Sequence, residues 1–176
     1  MNTNQLAIAA GAAVLLFWTV GAYNRLVRLR HAIGRGFGPV DAQFKQRQAL
    51  LVALCDALGA LLADDPPQLL DALRAACQQA ETAHARARAH PGAVAATASQ
   101  RLAEDILADT RSRLPAEATG HPDLADISTR LAASDATLAF ARQQFNDAVK
   151  EYNHAVRQFP TWLIAWLFSF RTAALL

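Results

Sequence analysis

The stretch AFARQQFNDAVKEYNHAVRQFPTWLIAWLFSF, residues 139–170, decides the fold. Within it Phe145-Asn146, Tyr152-Asn153 and Phe159-Pro160 recur every seven residues. That interval is close to two helical turns, so the three aromatics share one side of a helix and form a contact seam. Followed upstream, the seam reads Leu124, Ile127, Leu131, Leu138, Ala141, Phe145, Val149, Tyr152, Val156 and Phe159. One long helix from near Asp123 to Phe159 is predicted. Pro160 interrupts it and leaves an apolar aromatic tail, 161–176. The apolar run of that tail, TWLIAWLFSF, is too short to span a bilayer. It is expected to lie on the membrane, with bundle capping and binding of another subunit as the other two roles open to it.

Tyr23-Asn24 echoes the motif far upstream, where a second apolar run ends. Leu6 to Tyr23 carries no charge, and as a helix it covers about 27 Å, close to a hydrocarbon core of roughly 30 Å. Residues 1–23 are therefore read as an uncleaved transmembrane anchor. A cleavable signal would want Lys or Arg ahead of the apolar run, and residues 1–5 have none. Trp18 and Tyr23 fall where amphipathic rings favour the interface. Arg25, Arg28, Arg30 and Arg35 follow the segment and no charge precedes it. The positive-inside rule then puts the N-terminus outside and the body in the cytoplasm, a periplasmic body being the alternative.

Between these landmarks three/four spacing continues through Leu26, Ile33, Phe37, Val40, Phe44, Leu51, Leu54 and Leu58. The first helix should run from the membrane to about residue 63. A kink is expected at Gly34, Gly36, Gly38 and Pro39, and Gly34 with Gly38 could admit a close neighbour. Asp64-Asp65-Pro66-Pro67 reads as a stop and a start. A second helix follows over about 68–89, with a mostly alanine seam, and a third over about 94–113, with Val94, Ala98, Leu102, Ile106 and Leu107 inward. The expected architecture is all-α. An N-terminal transmembrane helix continues into an up-and-down antiparallel four-helix bundle over 24–160, with a short apolar tail. In that arrangement Phe37 meets Phe145, Asp41 comes near Arg142, and Tyr23 lies level with Phe159. Trp162, Trp166 and Phe168 then reach the membrane interface.

Composition excludes several functions. The net charge is +2, but residues 1–40 carry +4, so the rest of the chain is slightly acidic and a nucleic-acid partner is not expected. Cys55 and Cys77 fall among Leu and Ala and read as buried free thiols. Glu81-Thr-Ala-His84 and Glu151-Tyr-Asn-His154 are both Glu-x-x-His, the pair of motifs a di-iron bundle uses. Helical phase turns His154 almost opposite to the aromatic seam, so no metal, cofactor or catalytic residue is expected. Asn146 and Asn153 beside the stripe form a polar strip. It either recognises a partner or fixes helix register by interhelical hydrogen bonds.

Residues 139–170 together with YNRLVRLRHAI (23–33), VDAQFKQR (40–47) and HPDL (121–124) resemble the LemA family of bacterial membrane-anchored proteins. Ala49, Val52 and Ala53 stand where that family usually has an acid and a Pro-Asn pair. The Gly34 to Pro39 cluster interrupts a helix the family normally keeps whole. Trp162 and Trp166 are more aromatic than its usual tail. The resemblance implies a single anchor in the bacterial inner membrane and a long-helix bundle, and supplies no reaction. A non-enzymatic scaffold or interaction protein serving envelope maintenance is expected, with the lipid bilayer and a second copy or another membrane protein as partners. The alternative is a metal-binding helical enzyme.

Overall fold

A computed structural model describes residues 2–61, 68–114 and 121–176, all helix, turn or extended chain with no strand among them. The described residues form five helices: α1 Thr3–Leu61, α2 Gln68–Ala89, α3 Val94–Ser112, α4 Pro122–Arg157 and α5 Thr161–Leu167. The Asp64 to Pro67 break and the Pro115 to Gly120 part of the second expected loop lie outside the described residues.

α1 is one unbroken helix of 59 residues, about 88 Å long. Its first turns touch nothing: residues 2 to 18 are exposed throughout, and burial begins at Ala22. The most apolar window there has a mean hydropathy of 1.9 and none of it is buried, so this helix is long and apolar enough to cross a membrane. Beyond Ala22 the same helix supplies Leu26, Leu29, Ile33, Phe37, Val40, Phe44, Leu51, Leu54 and Leu58 to the core. The helix continues through Pro39. Pro39 lies inside the helix on its exposed side, where Ile33, Phe37 and Val40 hold the opposite face against the core.

α4 runs antiparallel to α1. Gly36 faces Phe145, Gln43 accepts a hydrogen bond from Thr137 at 3.0 Å, and Arg47 reaches Asp135 at 3.5 Å. Phe37 and Phe145 meet edge to face at 5.7 Å, as the sequence register requires. Gly36 faces α4 at a distance where an added β-carbon would make ordinary contact with the Phe145 backbone, 3.8 Å away, whereas Gly34 and Gly38 face open space. The expected small-residue pair of Gly34 and Gly38 therefore meets no neighbouring helix. α2 also opposes α1: Asp41 meets His84, and Gln48 donates to the Cys77 carbonyl at 3.3 Å. Alanines at 76, 80, 83 and 87 make the approach close. α3 folds back on α2 after a turn at 90–93.

Two expected faces are corrected. On α3, Val94, Leu102 and Ile106 are exposed, and the buried residues are Thr97, Gln100, Ala103, Leu107 and Thr110. Polar partners inside the body outrank hydrophobicity here, because Gln100 binds His84 and Glu104 binds Arg47. On α4 every seam residue is buried or half-buried except Phe159, which is 75% exposed because α4 ends at Arg157 before reaching it.

Because a β-carbon at Gly34 would meet nothing within 4 Å and no proline follows it, Gly34→Ala should stabilise the helix by about 0.5–1 kcal/mol. Urea unfolding of the protein in detergent micelles checks this; a lower midpoint would contradict it.

Candidate functional site

The end of the body next to the bare apolar helix is where most of the expected interface residues come together. Tyr23, half exposed, packs against Phe168 at 4.8 Å and Phe170 at 5.8 Å. The aromatic junction therefore forms between α1 and the α5 turn, and not through Phe159. α5 buries Thr161, Ile164 and Ala165 and exposes Trp162, Leu163, Trp166 and Leu167. Trp18 lies within the bare helix, and Arg25, Arg28 and Arg30 are exposed just after it.

α5 ends in a hydrogen-bonded reversal. Phe170 N–H donates to the Ala165 carbonyl and Ser169 N–H to that of Trp166, with Ser169 left-handed at φ 56°. This is the Schellman arrangement, usually built on Gly. It turns the chain back along α4 as an extended strap, 170–176. Asn153 donates through Nδ2 to the Ala173 carbonyl and accepts from the Ala173 N–H, both at 2.8 Å. Asn146 does the same with Leu176, again at 2.8 Å. Tyr152 Oη donates to the Arg171 carbonyl at 2.8 Å, and Ala174 N–H donates to the Gly92 carbonyl at 2.8 Å. Gly92 has φ 79°, and a β-carbon on it would stand 2.9 Å from that of Ala173, so only glycine fits this turn.

The polar strip of Asn146 and Asn153 therefore binds main chain. An amide side chain has the same donor and acceptor as a peptide group, so each Asn pairs with one residue as a neighbouring strand would. Seven helical residues rise about 10.5 Å, and three extended residues span about 10 Å, so the two rungs stay in step. Neither an interhelical bond nor a partner outside the chain is what these asparagines hold here. The extended course of 170–176 has no counterpart in the sequence pattern, since Thr-Ala-Ala-Leu-Leu would read equally well as helix.

Basic side chains flank the strap. A cavity of about 740 Å³ is lined by Arg30, His31, Arg35, His90 and Arg171 and by no carboxylate. On the other side Arg101, Lys150, His154 and Arg157 line a second cavity. Anionic groups are the chemical complement of both.

Deeper in the body lies a polar layer. His84 is stacked on Phe44 at 3.8 Å and on Phe37 at 5.4 Å. Its Nε2 lies 3.1 Å from Asp41 and its Nδ1 3.1 Å from Gln100 Nε2. A neutral ring protonated on Nε2 satisfies both contacts. Burial pushes His84 below the usual imidazole range, against the pull of Asp41. For Asp41, burial is outweighed by hydrogen bonds from Lys45 and His84, so its carboxyl is held low. Arg47, 5% exposed, forks onto Glu104 at 2.5 and 2.7 Å, and Arg142 approaches the same carboxylate at 2.9 Å. These arginines hold Glu104 below the usual range although burial acts the other way. Arg142 thus pairs with Glu104, and Asp41 turns to His84, Lys45 and Arg88.

Glu81, Glu151 and His154 are exposed, and among the described residues no three His, Cys, Asp or Glu side chains gather as a metal site would need. Cys55 and Cys77 are buried free thiols, and the hydrogen bond that Cys77 donates to Cys55, together with burial, pushes Cys77 upward.

The arrangement defines a class: an all-helical body continuous with one exposed apolar helix of membrane-spanning length. The chain belongs to the LemA family, whose sequence profile matches residues 36–176. Neither the curated proteins nor the solved structures searched contain a match.

Removing Arg47 would strip the buried Glu104 carboxylate of its two-bond partner and leave it Arg142 alone among the pairs described. Arg47→Met should cost about 3–5 kcal/mol, whereas Arg113→Ala, which breaks an exposed pair with Asp109, should cost under about 1 kcal/mol. Equal urea midpoints for the two variants would contradict the layer's role.

pH acts through His84. The unfolded chain takes up a proton near pH 6.5 that buried His84 accepts only at lower pH. Stability is full above that value and is lost as pH falls through it. Glu104 and Asp41, held low, add further loss only below about pH 4.5. The thermal midpoint should fall between pH 7 and pH 5, and His84→Gln should flatten that segment of the curve.

Proposed function

We propose that this LemA-family protein is a non-enzymatic scaffold of the bacterial inner membrane, with interaction as its activity and envelope maintenance as its setting. It is single-pass, with the N-terminus outside and the body in the cytoplasm as an up-and-down four-helix bundle. Its partners are the bilayer and a second copy or another membrane protein. One observation carries the reading: the bare helix and the exposed face of α5 adjoin through Tyr23 and Phe168, so two apolar surfaces open at one end of the body. A bilayer covers both at once. The helix spans, and α5, too short to span, lies at the interface with Trp162 and Trp166 in the headgroup region.

Charge supports the orientation. Arg25, Arg28, Arg30 and Arg35 are exposed beside this end, and each lies where anionic lipid contributes on the order of 1 kcal/mol. The polar layer has the character of a specificity device within a bundle, since its groups are committed to one another.

The test is topological. A phosphatase active only in the periplasm, fused after residue 176, should be inactive; activity would place the body outside. Brominated lipids should quench Trp162 and Trp166 in a variant with Trp18→Phe. Absence of quenching would remove α5 from the membrane.

A further inference from the structure

We propose that the Asn146–Asn153 ladder is a binding site for extended polypeptide, and that its occupant in trans is the strap, 170–176, of a second copy of this chain. The inference rests on the interaction reading above and names its partner.

The site is built. Its two rungs each offer a donor and an acceptor, Tyr152 Oη donates a fifth bond, and the Gly92 carbonyl accepts a sixth. All six go to main-chain atoms, so the ladder selects an extended backbone. Selection by side chain enters at one point, where the short distance to Gly92 demands a residue as small as Ala173. Leu176 and Phe170 add partial apolar contact at the ends. Every requirement is met by the strap, and every copy of the protein carries one.

Exchange is easy to open. Arg171, Thr172 and Leu175 are exposed, and Ala173, Ala174 and Leu176 are only half-buried, so the strap commits little apolar surface. Segments of that kind detach far below the free energy of global unfolding. Once detached, residues 170–176 reach about 24 Å from the α5 turn. Insertion into a neighbour remakes the same six bonds, so contacts cancel and only chain entropy opposes the exchange. Confinement of copies to one membrane raises their effective concentration and reduces that entropic term.

Complementary full-length variants test it. Asn146→Ala with Asn153→Ala removes the ladder and leaves the strap. Ala173→Pro with Leu176→Pro removes the two strap N–H donors and leaves the ladder. Co-expressed with different tags and extracted in mild detergent, the two should co-purify roughly tenfold more than either variant with itself. Equal recovery in all pairings overturns the proposal.

A second readout covers a variant that folds poorly. A fluorescent peptide FRTAALL should bind the single-rung variant Leu176→Pro, and N-methylation of its Ala173 and Leu176 amides should weaken binding roughly tenfold. Equal binding of both peptides refutes main-chain recognition. Fractionation separates this from the anchor reading: soluble chains that still complement would sink the anchor alone, and membrane-bound chains that fail to complement would sink the exchange alone.

Discussion

One helix has to suit two surroundings, and the rest of the molecule follows from that. α1 leaves its first turns bare and then, without a break, buries one face from Ala22 onward. An unbroken helix fixes the direction of the body relative to the apolar segment. α4 pairs with it along the Phe37–Phe145 seam, with Gly36 facing the Phe145 backbone. α4 must then end near the level at which the bare segment begins. α5 and the strap are the consequence, because a chain arriving there with Trp162, Leu163 and Trp166 must either cover them or present them.

The α1–α4 pair is held by different physics at different levels. At the Tyr23 end the contacts are aromatic and main-chain hydrogen bonds to asparagine. Midway, the contacts are charges with little water around them. Arg47, Glu104, Arg142, Asp135 and Arg111 draw α3 toward α1 and α4, and His84 ties α2 to both α1 and α3. An apolar filling of similar size would often be as stable. What the polar groups add is register, since each pairs only where its partner stands. That accounts for α3 turning Val94 and Leu102 outward in order to place Gln100 and Glu104 inside.

The parts of this fold that periodicity could express were legible in the sequence. The aromatic heptads and the alanine seam of α2 encode helices that bury one face, and their antiparallel register follows from Phe37 and Phe145. α3 was misread because hydrophobicity ranks Leu102 above Gln100, and only the positions of His84 and Arg47 reverse that order. Pro39 does not end α1, because Ile33, Phe37 and Val40 pack the opposite face against the core. The asparagines were noticed as a strip, yet their partner was invisible. Main chain carries no residue code, and the strap that supplies it has no repeat.

That last failure is informative about the site itself. A surface that recognises side chains leaves a complementary pattern elsewhere in the sequence, as the seam of α4 does for α1. A surface that recognises peptide groups leaves none, and its mark is a spacing on the helix alone. Seven residues on α4 match three in an extended chain, and the match holds for any occupant of that length that lacks a bulky group beside Gly92. The ladder thus closes the body with its own strap while reading almost nothing peculiar to it. Its specificity comes from position, through the α5 turn that delivers the strap beside the end of α1 where the bare apolar segment begins.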